Sequence, residues 1–210
     1  MSVRIARAVL LAVLFGLCSG AATADRILLA PSAELLPPQG FKTELVFNPS
    51  HLDSSVGWLQ VSTVQGIELE GERLGLPSGS NARYVLNLEY PLLPDLGAMP
   101  SVAVGIRDLF GTGVDHKALF AAATKSVPLS DRQLKFARSL ELSIGVGTGR
   151  LDGPFIGGEA LLASGIGLYA EVYRKRPDFG VSVPLGKRFQ ARAYSLDGTP
   201  YLGVEYSLVH

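Results

Sequence analysis

The stretch "ELSIGVGTGRLDGPFIGGEA" (residues 141–160) alternates apolar and polar side chains around a cluster of glycines. Leu142, Ile144 and Val146 fall on one side of the alternation, and Glu141 falls on the other with two of the glycines. Successive side chains of a β-strand point to opposite faces, so the pattern predicts a strand with one apolar and one polar face. The Asp-Gly-Pro in the middle is typical of a turn. The stretch therefore predicts two antiparallel strands joined by a hairpin.

The same glycines also resemble a nucleotide-binding turn, but their spacing argues against one. Gly145, Gly147 and Gly149 are two residues apart, and Arg150 stands where a dinucleotide-binding motif has its last glycine. The residues that follow do not begin a long helix. We therefore interpret these three glycines as lining one face of a strand, with Gly153 in the hairpin turn.

A period of two recurs along most of the chain. It predicts about twelve strands separated by turns rich in Gly, Pro, Asn and Asp. "HKALFAAATK" (116–125) has the alanine content of a helix, but we assign it to a strand because it fits the same spacing. The predicted strands lie near 40–48, 55–65, 66–74, 82–90, 100–109, 117–126, 137–147, 154–162, 165–173, 178–184, 187–195 and 200–209. About twelve strands of this length are typical of a transmembrane β-barrel, whose strands cross the apolar band in roughly 9–11 residues.

The polar faces of these strands carry isolated charges among glycine and serine rather than a solvated lysine-rich surface. Such faces suit a crowded interior in which acids pair with arginine, because a lone buried charge is costly. Tyr84 and Tyr90 bracket Leu86 and Leu88 on an apolar face, as expected for aromatic girdles at two membrane interfaces. We predict a polar network in the lumen formed by Glu68, Glu70, Glu141, Glu159, Glu171, Arg192 and Glu205. The fold class predicted is thus all-β, a closed antiparallel transmembrane barrel of about 12 strands (10–12).

The first residues have the features of an export signal. Arg4 and Arg7 precede an apolar run at 8–17, which is too short to span a bilayer, and Ala22-Thr23-Ala24 is typical of a signal peptidase site. We expect a signal peptide at 1–24, a lead segment at 25–38 that tucks into the lumen, and a barrel at 39–210. The only cysteine, Cys18, lies in the signal, so the mature chain is expected to form no disulfide.

Charge and metal-ligand spacing exclude several classes of function. Lys and Arg number 19, as do Asp and Glu, and removal of Arg4 and Arg7 leaves a slight acidic excess. That balance does not favour nucleic acid as a partner. His51, His116 and His210 have no metal-binding spacing, so neither a metal nor a cofactor is expected.

Several stretches together are similar to the YjbH-like family of bacterial outer-membrane β-barrels. The resemblance covers most of the mature chain and is strongest from Glu89 onward. It is carried by "APSAELLPPQGF" (30–41), "EYPLLPDLGAMPSVAVGIRDLFGTG" (89–113), "LSIGVGTGRLDGPFIGGEALL" (142–162), "LYAEVYRKRPDFGVSVPLGKRFQARAYSLDG" (168–198) and "LGVEYSL" (202–208). The resemblance implies a location in the bacterial outer membrane and a link to exopolysaccharide production or export. It implies no catalytic residues.

These observations favour a non-enzymatic outer-membrane barrel with outer-membrane lipid as its partner and with a role in exopolysaccharide export or envelope structure. Polysaccharide and other envelope proteins are further candidate partners. Arg174, Lys175 and Arg176 form a candidate contact with lipid headgroups. Two alternatives stay open at this point: a soluble periplasmic β-barrel that carries a lipid or other apolar ligand, and a barrel enzyme that uses a histidine and a serine.

Overall fold

The chain folds into one closed antiparallel β-barrel. The computed structural model describes residues 28–74, 83–112, 117–129 and 136–208, apart from the side chains of 51–54, 74 and 150. Within these ranges the twelve strands are β1 (Phe41–Asn48), β2 (His51–Ser62), β3 (Glu68–Leu74), β4 (Arg83–Leu93), β5 (Ser101–Arg107), β6 (Ala118–Pro128), β7 (Ala137–Gly147), β8 (Gly153–Leu162), β9 (Gly167–Tyr173), β10 (Arg176–Pro184), β11 (Phe189–Leu196) and β12 (Thr199–Leu208). In the part of the chain described, no helix is both long and apolar enough to cross a membrane.

Each strand pairs with its neighbours in sequence, and β1 pairs with β12 to close the barrel. The closing register runs from Phe41 opposite Leu208 to Phe47 opposite Leu202. All strands therefore alternate between two rims. We call the rim where β1 begins and β12 ends the terminal rim, and the rim formed by the turns after odd-numbered strands the distal rim. The predicted fold class is confirmed.

The two faces of the barrel wall are inverted relative to a water-soluble protein. The outward aliphatic side chains are widely exposed, as Leu142 (55%), Ile144 (53%) and Val204 (45%) illustrate. The inward side chains are mostly polar and buried, such as Glu44 and Glu205, which are 0% and 2% exposed. A soluble β-barrel would have the opposite distribution, whereas a membrane barrel has lipid-facing and lumen-facing residues arranged in this way.

The predicted strand bounds lie within two residues of those observed, except at both ends of β2 and at the end of β4. Strand β4 continues to Leu93, whereas the predicted strand ended at Tyr90. Pro91 lies beside a register shift against β5, and proline is accommodated at such bulges because a ladder hydrogen bond is already missing there. The alanine-rich segment 118–128 is a strand, as predicted.

Placing Gly149 on a strand face was wrong. Strand β7 ends at Gly147, and Gly149 begins a 3₁₀ turn (Gly149–Leu151) with a φ of 57°. The glycine at position 149 is explained by the geometry of the turn rather than by the alternation, because glycine adopts the left-handed backbone conformation without steric cost. Gly145 and Gly147 do lie on β7.

Gly145 makes room for an aromatic ring inside the barrel. It lies opposite Phe155 of β8, whose ring is buried and covers the space above the glycine. A Cβ at this position would overlap that ring and would lie 2.5 Å from the carbonyl oxygen of Ala121. The glycine therefore allows a large side chain on the neighbouring strand to fill the narrow lumen.

We expect Gly145→Ala to destabilise the barrel by about 1–3 kcal/mol, because the added methyl group meets backbone as well as the ring. Gly71→Ala is the matched control, since a Cβ there meets nothing within 4 Å. Its expected effect is within about 0.5 kcal/mol of zero. Urea unfolding of the two variants in detergent micelles measures the difference, and equal midpoints would contradict this packing argument.

Candidate functional site

One cluster of buried charges surrounds Arg192 on β11. Its Nη1 donates to Glu44 Oε2 at 3.0 Å and to Glu205 Oε2 at 2.9 Å. Lys42 Nζ lies 3.4 Å from the same Glu205 oxygen. Glu44 and Glu205 are direct partners across the β1–β12 closure, so two acids stand side by side. Like charges in that position destabilise a sheet, and the guanidinium between them offsets the repulsion.

Aromatic side chains complete this cluster. The Arg192 guanidinium carbon lies 4.8 Å from the centre of the Tyr169 ring and 5.6 Å from that of Tyr194. Tyr194 donates its hydroxyl hydrogen to Glu44 Oε1. Gly203 is required beside them, because a Cβ there would lie 2.8 Å from the Tyr194 hydroxyl oxygen. The cluster therefore combines ion pairs and cation–π contacts away from bulk water.

Glu171 on β9 binds the lead segment. Its carboxylate accepts three consecutive backbone N–H groups, from Leu28 at 3.0 Å, Leu29 at 2.9 Å and Ala30 at 3.0 Å. Glu171 is buried, and charge-assisted hydrogen bonds of this kind are about twice as strong as neutral ones. The lead is thus attached to the barrel wall through its own backbone.

Further contacts continue along the lead. Ala33 N donates to Thr124 Oγ1 at 2.7 Å, and Leu36 N donates to Glu68 Oε2 at 3.0 Å. These two contacts attach the lead to β6 and to β3.

Another group of buried polar side chains lies on the wall formed by β2, β3 and β4. Glu70 accepts hydrogen bonds from Gln60 Nε2 at 2.6 Å and from Asn87 Nδ2 at 2.5 Å. Asn87 and Gln60 are its partners on the two adjacent strands. Two side-chain amides therefore stabilise this carboxylate. A small pocket beside it has a volume of about 20 Å³, enough for about one water molecule, and is lined by Gln60, Glu68, Glu70, Asn87, Leu88, Glu89, Arg107 and Phe120.

All seven residues predicted to form a lumen network lie on the inner face of the wall, but they form separate groups. Arg192 pairs with Glu205, Glu171 and Glu68 bind the lead, Glu70 binds amides, and Glu141 lies opposite Glu159 across β7 and β8. A functional role for the predicted lumen network stays a prediction. Residues that sequence reasoning missed are Lys42, Glu44, Gln60, Asn87, Tyr169 and Tyr194. The alternation of "FKTELVFN" (41–48) already assigns Lys42 and Glu44 to a polar face and was the available signal.

The three cationic residues predicted to contact lipid headgroups lie at the distal rim. Arg174 and Lys175 form the two-residue turn between β9 and β10, with φ angles of 51° and 65°. Arg176 forms an exposed ion pair with Asp197 of the neighbouring turn, with 3.0 Å between Nη1 and Oδ1. Positive φ is uncommon for such side chains.

None of the three histidine side chains of the chain is among those that the structure describes. His116 and His210 lie outside the described residues, as does the predicted signal peptide at 1–24, and nothing is described of the His51 side chain. Among the described residues, no group of three or more His, Cys, Asp or Glu side chains has an arrangement able to hold a metal ion.

A comparison with solved structures finds a barrel of the same architecture. The KdgM porin matches with a TM-score of 0.54 over 80% of this chain and 99% of its own. The likeness shows a shared fold. Sequence identity is 12%, so nothing about cargo follows from it. No protein-family model matches the chain, and no curated protein matches it either.

Proposed function

We propose that the protein is a non-enzymatic barrel of the bacterial outer membrane whose interior is closed by its own lead. The observation that carries this proposal is the inverted wall: a continuous apolar exterior surrounds an interior of buried, hydrogen-bonded charges. Membrane barrels of this kind place their apolar residues against hydrocarbon and their polar residues in the lumen. The porin-like fold supports the same conclusion.

The positions of the outward aromatic side chains support a membrane location. Exposed aromatic residues occur near both rims and rarely in between, as in the girdles at membrane interfaces. Near the distal rim these are Phe47, Tyr84, Phe110 and Phe179, and near the terminal rim they are Tyr90, Phe136 and Phe189. At the terminal rim Tyr206 packs against Phe189, with ring centres 5.0 Å apart, and against Phe41 at 6.2 Å. The aliphatic side chains fill the band between the two girdles.

The soluble carrier is not favoured by this geometry. A carrier of an apolar ligand needs a large apolar cavity, whereas the pocket described above holds about 20 Å³ and is lined in part by Glu70, Asn87 and Arg107. The enzyme alternative is untested, because it depends on histidines whose side chains are not described.

Extraction and gel migration test the membrane location. We expect the protein to remain in the outer-membrane fraction after a carbonate wash, and to migrate faster on a gel without boiling than after boiling. A water-soluble carrier would be released by the wash, and that release would overturn the proposal.

A role in exopolysaccharide production or export is the finer proposal, and it is supported by the resemblance to the YjbH-like family. Envelope structure is the other role consistent with a closed lumen. We expect a strain lacking the protein to secrete less polysaccharide and to regain secretion when the gene is restored. Unchanged secretion together with altered detergent sensitivity would favour the structural role.

We further propose that Arg174 and Lys175 contact the phosphates of lipid headgroups at the distal rim. Arg174→Asn combined with Lys175→Gly places the residues preferred in a tight hairpin turn at these positive φ angles. We expect this double variant to be more stable by about 1 kcal/mol, because turn strain is relieved. Its affinity for lipopolysaccharide in detergent is expected to fall about fivefold or more, because two cations are lost.

The control for this variant removes the same charge elsewhere. Lys187 and Arg188 are exposed at the terminal rim, so Lys187→Asn combined with Arg188→Gly should leave the affinity unchanged. An equal loss in both double variants would indicate attraction by overall charge and would contradict a distal-rim site.

A further inference from the structure

The lead runs along the lumen from one rim toward the other. Its residues 28–30 bind Glu171, two residues before the distal turn that follows β9. Leu36 binds Glu68, the first residue of β3 at the terminal rim. Between them, Ala33 binds Thr124 near the middle of β6. Nine residues reach at most about 30 Å, which is comparable to the apolar band of a membrane barrel, about 25 Å tall.

The lead fills the lumen along this path. Leu28, Ala30, Ala33 and Leu36 are buried against the inner wall. Ala30 and Ala33 pack in one apolar cluster with Phe120, Phe155 and Tyr173, and Leu28 packs in another with Tyr169 and Tyr194. Removal of the lead would therefore leave an axial space between the two rims.

The wall around that space is strongly acidic. All ten glutamates of the chain lie either on the inner face of a strand or, in the case of Glu34, in the lead. Within the described strands, the buried or half-buried inward acids are Glu44, Glu68, Glu70, Glu72, Glu89, Glu141, Glu159, Glu171, Asp178 and Glu205. The inward cations that are buried to the same extent are Lys42, Arg107 and Arg192. Walls with an excess of one charge concentrate ions of the opposite charge, and acidic linings select cations.

We propose that the barrel is a cation-selective pore which its own lead, residues 28–36, holds shut, with the Glu171 carboxylate as the latch. The proposal rests on the proposed membrane location and adds an activity to it. The latch is polar and uses only backbone N–H groups of the lead, so loss of the carboxylate charge weakens it without creating a cavity.

Glu171→Gln in the full chain tests the latch. A neutral amide keeps the size of the side chain but accepts hydrogen bonds through one oxygen only, so at least one of the three N–H groups loses its acceptor and the remaining bonds lose their charge assistance. In planar bilayers with a KCl gradient, we expect the wild-type protein to be nearly silent and the variant to open about tenfold more often. Asp95→Asn is the control, because this exposed carboxylate lies in a terminal-rim turn outside the lumen and pairs with Lys125. It should behave as wild type.

A second variant tests the lumen directly. Replacement of residues 28–36 by a Gly/Ser segment of equal length removes the buried side chains and keeps the chain length. We expect steady conductance with potassium about fivefold or more permeable than chloride. Adding Glu72→Gln and Glu89→Gln in this background should shift the reversal potential toward zero.

The experiments distinguish failure of the pore proposal from failure of the proposed membrane location. Heat-modifiable migration reports insertion and folding, and its loss in the wild-type protein would overturn the proposed function itself. If a folded lead variant is silent or prefers chloride, the cation pore is overturned while the membrane barrel stands. If the lead variant fails to fold, the Glu171→Gln result decides: no increase in opening overturns the proposal.

Discussion

Arg192→Ala is expected to destabilise the barrel by about 3–5 kcal/mol, because it leaves two buried acids without the cation between them. Glu44 and Glu205 are almost completely buried and face each other across the strand pair that closes the barrel. Lys42 contacts Glu205 and compensates only part of the charge. The variant also loses the cation–π contacts with Tyr169 and Tyr194.

Urea unfolding in lipid vesicles, followed by tryptophan fluorescence, measures this effect. The chain has one tryptophan, Trp58, which lies opposite Glu44 on β2 and therefore reports on the same region. Arg176→Ala is the matched control. It removes an arginine from the exposed ion pair with Asp197, whose expected contribution is about 0–1 kcal/mol. Similar costs for the two substitutions would show that the Arg192 cluster does not stabilise barrel closure.

Leu142→Arg is expected to destabilise the folded, membrane-inserted barrel by about 2–4 kcal/mol. Leu142 is the central residue of β7 and points outward, so in the proposed membrane location an arginine there would lie at the middle of the hydrocarbon layer. The same side chain on the surface of a soluble protein would meet water, and its replacement by arginine would have little effect. The loss of stability caused by this substitution therefore distinguishes a lipid-facing position from a water-facing one.

Leu93→Arg controls for the chemical change itself. Leu93 is about as exposed as Leu142 but is the last residue of β4 at the terminal rim. At an interface the arginine reaches water, and the expected cost falls to about 0–1 kcal/mol. Reversible unfolding from vesicles of defined lipid gives both values. If the two leucines respond alike, the apolar exterior does not face a bilayer.

Strand positions could be predicted closely because the signal is local. The predicted bounds of β7 (137–147) are those observed, and its alternation assigned Leu142 and Ile144 to the face that is exposed. The continuation of β4 past Pro91 was not predicted, and it depends on a register shift against the neighbouring strand that accommodates the proline.

The candidate site was predictable in composition but not in pairing. Arg192 and Glu205 lie 13 residues apart, on adjacent strands of one hairpin, so their proximity follows from the local fold. Glu44 is 148 residues from Arg192 and reaches it only because the first and last strands close the barrel. The attachment of Leu28 to Glu171, 143 residues away, depends likewise on the path of the lead inside the lumen.

The amino-acid sequence by itself determined that apolar and polar side chains alternate with a period of two, where turns interrupt this alternation, and that each strand has one apolar and one polar face. These are properties of a few consecutive residues, and side-chain geometry on a strand translates them directly into two surfaces. Only the tertiary structure decided which acids share Arg192, which carboxylate holds the lead, and that the lumen is filled. Those contacts depend on closure and register between strands far apart in the chain, and no local pattern encodes them.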